Sequence, residues 1–323
     1  MSESKPLVTI GAINYNNGKY VIETLDSIAN QTYENIELIV VDDASTDNSL
    51  TLIKDWLKNY KKPYKLIVHS ENMNVHAGYM SVIKNATGEF LSIVATDDVL
   101  VNEKTEKQVE ALAKLGDEYG VVYGDIIRMN ENSELISTPN FERIKKNKPN
   151  WSLPQGDIFL DLIADWVFYV QAALFKKKIL DGFYFPEKYK SEDRYFLLYA
   201  TRNTKVLGAE DVCVLYRVRE GSISNLATKN ENYHLLSLSD VRMYLEIAQF
   251  SEFSKKKLIA LNKKIQEQIL RYAYHKDANY MIAVKEWYRS LSLPKRRNQL
   301  HSFFYINWFF LQKKLNILRS DNK

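Results

Sequence analysis

The sequence predicts an α/β fold, a doubly wound sheet flanked by helices over residues 1–225, followed by a mainly α-helical extension over residues 226–323. Three observations carry this prediction. Short runs rich in Val and Ile alternate with amphipathic segments near the N-terminus, which is the pattern of parallel βαβ units. Two of those runs end in paired aspartates, Asp42-Asp43 and Asp97-Asp98, and open α/β sheets bind ligands outside the carboxyl ends of their strands. After Asn225 the strand pattern stops and helical spacing continues alone.

The elements follow in order. "PLVTIGAINY" is a strand, and "GKYVIETLDSIANQ" has Val21, Leu25 and Ile28 at helical spacing. "IELIVVDD" is a second strand, followed by the turn "ASTDNS" and the helix "LTLIKDWLKNY". "YKLIVHS", "AGYMSVIKNAT" and "EFLSIVATDD" continue as strand, helix and strand. "EKTEKQVEALAKL" is an amphipathic helix and "GVVYGDIIRMN" a strand. "NFERIKKNKPNWSLPQG", with two prolines and a basic cluster, reads as a long loop. "DIFLDLIADWVFYVQAALFKKKIL" mixes helix and strand, "SEDRYFLLYATRN" is a helix opening on two acids, and "AEDVCVLYRVREGSIS" is a last strand.

The chain is 46% hydrophobic and 26% charged with a net charge of +4, so a soluble globular protein is expected and a nucleic-acid partner is not. The single cysteine, Cys213, cannot form an internal disulfide and reads as a small buried hydrophobe. The N-terminus lacks the pattern of a signal peptide, and the longest apolar stretch, "FFYINWFFL", is too short to span a bilayer. A cytoplasmic location is expected.

Adjacent aspartates are common in turns and helix caps, and Ser45 or Asp47 could cap the helix after "DDAS". Asp97 and Asp98 are less easily explained that way, because Asn102 already stands before the next helix. Chemistry offers a reason for them. Mg²⁺ or Mn²⁺ is commonly held by one or two carboxylates together with substrate phosphates, and a carboxylate can accept hydrogen bonds from ribose hydroxyls. Neither GxGxxG nor GxxxxGK[ST] occurs as a competing phosphate loop.

Taken together, the motifs resemble the family 2 glycosyltransferases over roughly residues 6–225. Tyr15, Asn16, Ser27, Ile28, Gln31, Thr32, Asp42, Asp43, Ser45 and Asp47 match the family's opening pattern. "NATGEFLSIVATDD" resembles its Ala-x-Gly-Glu segment running into an Asp-x-Asp-type metal motif, "SEDRYFLLYA" its later Glu-Asp motif, and "LYRVREGSIS" the end of its catalytic domain. The resemblance implies a GT-A type doubly wound mixed sheet and an inverting transferase. That enzyme would move a sugar from a nucleotide-diphosphate donor, most commonly a UDP-sugar, to a hydroxyl of a glycan or lipid-linked acceptor. Tyr15 would stack on the donor's base, Asp43 would hydrogen-bond it and Asp97 would face the ribose. Asp98 would ligate a divalent metal, Mn²⁺ or Mg²⁺, on the diphosphate, and Asp193 would be the general base.

The chain departs from the family pattern at several places. Ile13-Asn14 stands in the donor turn where relatives have Pro-Thr or Pro-Ala, so Ile13 is included among the donor-binding candidates. Asn74 and Tyr79 replace a glycine-containing segment and a basic residue. Arg219 replaces a histidine, and Arg217 or Arg219 is expected on the diphosphate. Glu192 and Trp166 are the acceptor candidates; for Trp166 a core position is slightly the better reading. The five histidines show no metal-ligand spacing and receive no role.

The C-terminal "LPKRRNQLHSFFYINWFFLQKKLNILR" sets an aromatic stretch between two basic ones. It suits peripheral contact with the inner face of the plasma membrane, near a lipid-linked acceptor, or packing against protein with its lysines solvated. Two other functional classes fit the sequence less well. A nucleotidyltransferase normally carries a basic glycine-rich loop that "INYNNGKY" does not supply. A degenerate scaffold would have lost acids that are present here as Asp43, Asp98 and Asp193.

Overall fold

The computed structural model describes residues 5–165, 167–185, 192–219, 233–248 and 254–274. The described residues fall into two compact units. One holds residues 5–161, 167–185 and 199–219; the other holds residues 162–165, 192–198, 233–248 and 254–274. Trp166 and the basic-aromatic C-terminal stretch lie outside the described residues.

The first unit is built on an eight-stranded mixed sheet in the order β3-β2-β1-β4-β7-β6-β8-β5. Its strands are β1 (Val8–Asn14), β2 (Ile36–Asp42), β3 (Tyr64–Val68), β4 (Phe90–Ala95), β5 (Val99–Leu100), β6 (Tyr119–Met129), β7 (Ala173–Lys176) and β8 (Lys205–Arg217). β1 to β4 are mutually parallel where they pair, as the alternation predicts. β7 lies antiparallel between β4 and β6, β8 runs parallel to β6, and β5 pairs antiparallel with β8.

Every residue of β1 and β2 is buried, so these strands are covered on both faces and read as continuous apolar runs. On one face Val8, Ile10, Ala12, Leu38 and Val40 share a core with Val21, Leu25 and Ile28 of α1 (Val21–Ala29) and with Ile53 and Leu57 of α2 (Ser49–Leu57). On the other face α3 (Asn74–Asn85) lies close against β1. A Cβ on Gly78 would stand 2.7 Å from Ile13 Cγ2, so only glycine allows this approach. The chain runs outward from β1 through β2 to β3 and then returns by α3 to β4 on the other side of β1. That reversal between β1 and β4 is the topological switch point, where doubly wound sheets open a crevice.

One expected loop is corrected. Within "NFERIKKNKPNWSLPQG" the segment Asn140–Asn147 is a helix, α5, which follows α4 (Lys104–Ala113). Its start is held from a distance, because Asp125 Oδ2 on β6 accepts the Phe141 amide at 2.8 Å and Phe141 is buried. A cap supplied from another strand leaves no local sequence signature. The short strand β5, directly after Asp98, was also not expected.

The remaining helices are α6 (Phe159–Ala164), α7 (Glu192–Ala200), α8 (Tyr233–Ile247) and α9 (Lys255–Tyr274). No described helix is long and apolar enough to cross a membrane.

Candidate active site

β1, β2 and β4 end level with one another, since Asn14 pairs with Asp42 and Ile13 with Ala95. The loops beyond those ends carry Tyr15, Asp43 and the run Thr96-Asp97-Asp98. Two of their non-glycine residues, Asn16 (φ 52) and Ala44 (φ 58), have left-handed backbone, as does Asn74 (φ 70) at the start of α3, in conformations that L residues adopt rarely. Local strain of this kind is kept only where the surroundings impose it.

The two aspartates after β2 divide their work. Asp42 is fully buried and ties the turn together, accepting from Asn14 Nδ2 at 2.6 Å, Ser45 Oγ at 2.7 Å and the Ser45 amide at 3.1 Å. Asp43 accepts on a single oxygen, Oδ1, from His69 Nδ1 at 2.7 Å and from the Met73 amide at 2.9 Å. Tyr15 is 46% exposed at the mouth of β1. Ile13 is buried, its side chain against Gly78, and is not presented at the surface.

A chain of polar contacts joins the two acidic pairs. From Asp42 it runs to Asn14, whose Oδ1 accepts from Thr96 Oγ1 at 2.7 Å. Thr96 Oγ1 in turn accepts from Asn17 Nδ2 at 3.1 Å, and Asn17 Oδ1 accepts from Arg219 Nη1 at 3.0 Å. Arg219 Nη2 then meets Asp97 Oδ2 at 2.6 Å. Asn14, which departs from the family pattern, is therefore the buried centre of a network.

Asp98 is buried, and its Oδ1 accepts the backbone amide of Arg217 at 2.9 Å. The Arg217 side chain turns inward. Nε donates to the Asp97 carbonyl at 2.8 Å, Nη1 to the Asn130 carbonyl at 3.1 Å and Ser133 Oγ at 3.0 Å, and Nη2 to Glu23. Its guanidinium also lies 4.4 Å from the centre of the Tyr20 ring. Arg217 thus braces the acidic pair from behind, whereas Arg219 faces Asp97 directly.

Residues of α1 and of the turn after it have a similar bracing role. Thr24 Oγ1 donates to the Asp98 carbonyl at 2.7 Å, and Ser27 Oγ accepts the Leu100 amide at 3.1 Å. Gln31 Nε2 donates to the Val101 carbonyl at 2.9 Å, while its Oε1 accepts from Thr105 Oγ1 at 2.6 Å and the Thr105 amide at 3.1 Å. The Thr32 amide donates to the Asn102 carbonyl at 3.0 Å. Ser27, Gln31 and Thr32 are therefore stitches that hold the segment from Leu100 to Thr105, directly after the Asp97-Asp98 loop, while Thr24 holds Asp98 itself.

Burial pushes the Asp98 carboxyl well above the ordinary carboxylate range, and the charge of Asp97 pushes it further, against the pull of Arg217 and Arg219. Asp97 is raised too, because its burial outweighs the attraction of Arg219. A site that resists holding two negative charges on its own is one that an added cation stabilises. Among the described residues no group of three or more His, Cys, Asp or Glu could enclose a metal ion. The donor set, one carboxylate with a second beside it, fits a hard cation that arrives with phosphate oxygens.

Glu192 and Asp193 belong to the second unit, half-buried in the first turn of α7. In that unit Arg194 Nη1 donates to the Leu162 carbonyl and to Tyr244 Oη, each at 3.2 Å. Sequence reasoning gave no role to His69, Glu23 or Asn17. Only His69 left a signal, since it directly follows β3 and so stands at a strand end on the binding edge.

Comparison with known proteins agrees with this geometry. A sequence model described as Glycosyl transferase family 2 matches residues 9–182. The uncharacterized glycosyltransferase RT0329 of Rickettsia typhi is 31% identical over 235 residues, which cover 72% of this chain and 70% of that protein. The chain belongs to the family 2 glycosyltransferases and is a transferase enzyme. Two solved structures share its GT-A fold at low identity. Staphylococcus aureus TarS, residues 1–349, in complex with UDP-GlcNAc superposes with a TM-score of 0.59 at 20% identity, covering 92% of this chain and 80% of that one. The mannosyltransferase PcManGT of Pyrobaculum calidifontis, in complex with GDP-Man and Mn²⁺, gives 0.57 at 18% identity, covering 99% and 88%. Coverage of curated relatives varies, and one is matched over only 24% of its own length.

Proposed function

We propose that the protein is an inverting glycosyltransferase that moves a sugar from a nucleotide-diphosphate donor, a UDP-sugar, to a hydroxyl of a glycan or lipid-linked acceptor. The observation that carries this reading is the convergence of Tyr15, Asp43 and Asp97-Asp98 on the carboxyl ends of β1, β2 and β4. TarS and PcManGT, solved in complex with UDP-GlcNAc and with GDP-Man plus Mn²⁺, lend support to a nucleotide-sugar donor and a divalent metal.

In this mechanism Tyr15 stacks on the base and Asp43 accepts a hydrogen bond from it. Asp97 faces the ribose, and Arg219, now paired with Asp97, shifts its charge toward the arriving diphosphate. Asp98 would hold Mn²⁺ or Mg²⁺, whose contribution when bound is to neutralise charge on the leaving diphosphate. Asp193 takes the proton of the acceptor hydroxyl as that oxygen forms its bond to the anomeric carbon. The bond from that carbon to the diphosphate oxygen breaks on the opposite face, so the product is inverted. Glu192 and Trp166 contact the acceptor. The reaction takes place in the cytoplasm, and the basic-aromatic C-terminal sequence serves either to pack against protein or to meet the inner face of the plasma membrane.

A donor panel tests the reading. Purified protein is incubated with single sugar nucleotides and Mn²⁺ or Mg²⁺ while free nucleoside diphosphate is assayed. Release from one donor, abolished by EDTA and by Asp98→Ala, is the expected result. No release from any donor, together with no nucleotide raising the melting temperature, would overturn it. Absence of binding to anionic liposomes in flotation would remove the membrane contact.

A further inference from the structure

His69 stands directly after β3 and holds the carboxylate of Asp43. Its Nδ1 lies 2.7 Å from Asp43 Oδ1, and its Nε2 lies 2.9 Å from Ser81 Oγ on α3. An ionised carboxylate only accepts, so Nδ1 carries the proton and the Ser81 hydroxyl can donate to Nε2. The ring is held at both nitrogens, and the side chains of His69 and Asp43 are only 9% and 4% exposed. The Met73 amide, at 2.9 Å, falls on the same oxygen of Asp43. The backbone is fixed as well, with the Asp43 amide donating to the Asn14 carbonyl and the His69 amide to the Asp42 carbonyl, both at 2.9 Å. Asp43 therefore reaches any ligand with its plane locked and with Oδ1 already accepting two hydrogen bonds. Only Oδ2 is left to receive a base.

Resting on the proposed nucleotide-sugar donor, we infer that His69 is a specificity-determining positioning residue that restricts Asp43 to one-point recognition. The pocket then selects a base offering a single imide N–H, uracil or thymine, over guanine. Guanine presents N1–H and the N2 amine side by side, an edge that suits both oxygens of a free carboxylate. Against Asp43 it can satisfy one donor and must strip water from the other without a partner, and an unpaired donor in a site of this burial is costly. Met73 and Val75, 43% and 38% exposed beside these contacts, offer apolar surface to a base.

The test is isothermal titration calorimetry of the full chain with UDP and with GDP in the presence of Mn²⁺. It is carried out on the wild type, His69→Ala, His69→Asn and Ser81→Ala, each first checked for an intact melting transition. The wild type is expected to bind UDP about tenfold or more tightly than GDP. His69→Ala removes one of the two donors on Oδ1, leaving only the Met73 amide there, and narrows that ratio at least several-fold. Asparagine can place an N–H near the position of Nδ1, so His69→Asn restores much of the ratio, and Ser81→Ala gives an intermediate value. A general loss of structure would weaken both nucleotides together and leave the ratio alone. GDP bound as tightly as UDP by the wild type, or an unchanged ratio in folded His69→Ala and Ser81→Ala, overturns this inference while leaving the proposed function standing. Failure of both nucleotides to bind the wild type overturns the proposed function and this inference with it.

Discussion

The backbone amide of Arg217 donates to Oδ1 of Asp98 at 2.9 Å, across 119 positions of sequence. The end of β8 thus orients the carboxylate that follows β4, and the Arg217 side chain holds the neighbouring Asp97 carbonyl at 2.8 Å. Placing the acidic pair on two supports limits the positions it can take when a cation and a diphosphate arrive.

Replacing that arginine should damage both stability and the site. Lysine keeps the charge but cannot supply the fork that serves Asp97, Asn130, Ser133 and Glu23 together. Arg217→Lys is expected to lower unfolding free energy by about 2–4 kcal/mol, measured by urea denaturation, because buried acceptors lose their donors. Glu23→Gln should cost under about 1 kcal/mol, since Glu23 is 41% exposed.

Asp98→Asn keeps the shape of the side chain and its acceptor for the Arg217 amide, yet removes the charge offered to a cation. Turnover should fall by about a hundredfold or more, while the melting temperature holds or rises. The rise follows from the direction of the Asp98 shift, since burial and the Asp97 charge both oppose ionisation there. A melting curve beside a product assay checks both halves.

For Asp193 the expected pattern is different. Asp193→Asn should lower kcat by about 10²–10⁴-fold with little change in the donor's KM, because a base acts on the acceptor proton and not on donor binding. A comparable loss in donor affinity would exclude the role.

Gln31 offers a stability test at the other side of the loop. It is buried and makes contacts to the Val101 carbonyl and to Thr105 through both ends of its amide. Gln31→Ala should cost about 2–3 kcal/mol in denaturant unfolding, and Gln31→Glu should also destabilise by placing a charge where Nε2 donates.

Lys104 sets a pH dependence away from the site. It is fully buried, Nζ donating to Ser92 Oγ at 2.9 Å and the Ala173 carbonyl at 3.2 Å, and burial pulls it from 10.5 down to about 8. Between those values the unfolded chain holds a proton that the folded one has released, so stability rises with pH across that window. The rise is on the order of 3 kcal/mol and is absent below about pH 8, where both states are charged. Lys104→Met should flatten it, as measured by denaturation midpoints at pH 7.5, 8.5 and 9.5.

The sequence by itself determined the alternation of β1 to β4 with α1 to α3, the buried nature of Cys213, and the two acidic pairs at strand ends. Each of these is written locally, in the spacing of Val, Ile and Leu and in charge that interrupts an apolar run. It also pointed to the family through Ser27, Gln31 and Thr32, although their physical role as stitches on the segment that follows Asp98 appears only when α1 and the turn after it are packed beside that segment. Tertiary structure alone decided that Asp42 is the structural member of the first acidic pair, and that His69 takes one oxygen of Asp43. It also decided that Arg217 faces inward while Arg219 faces Asp97, and that Asp125 starts α5 in a segment that reads as loop. These are hydrogen bonds between residues far apart in the chain, and their partners are chosen by sheet order and register, which local periodicity does not encode.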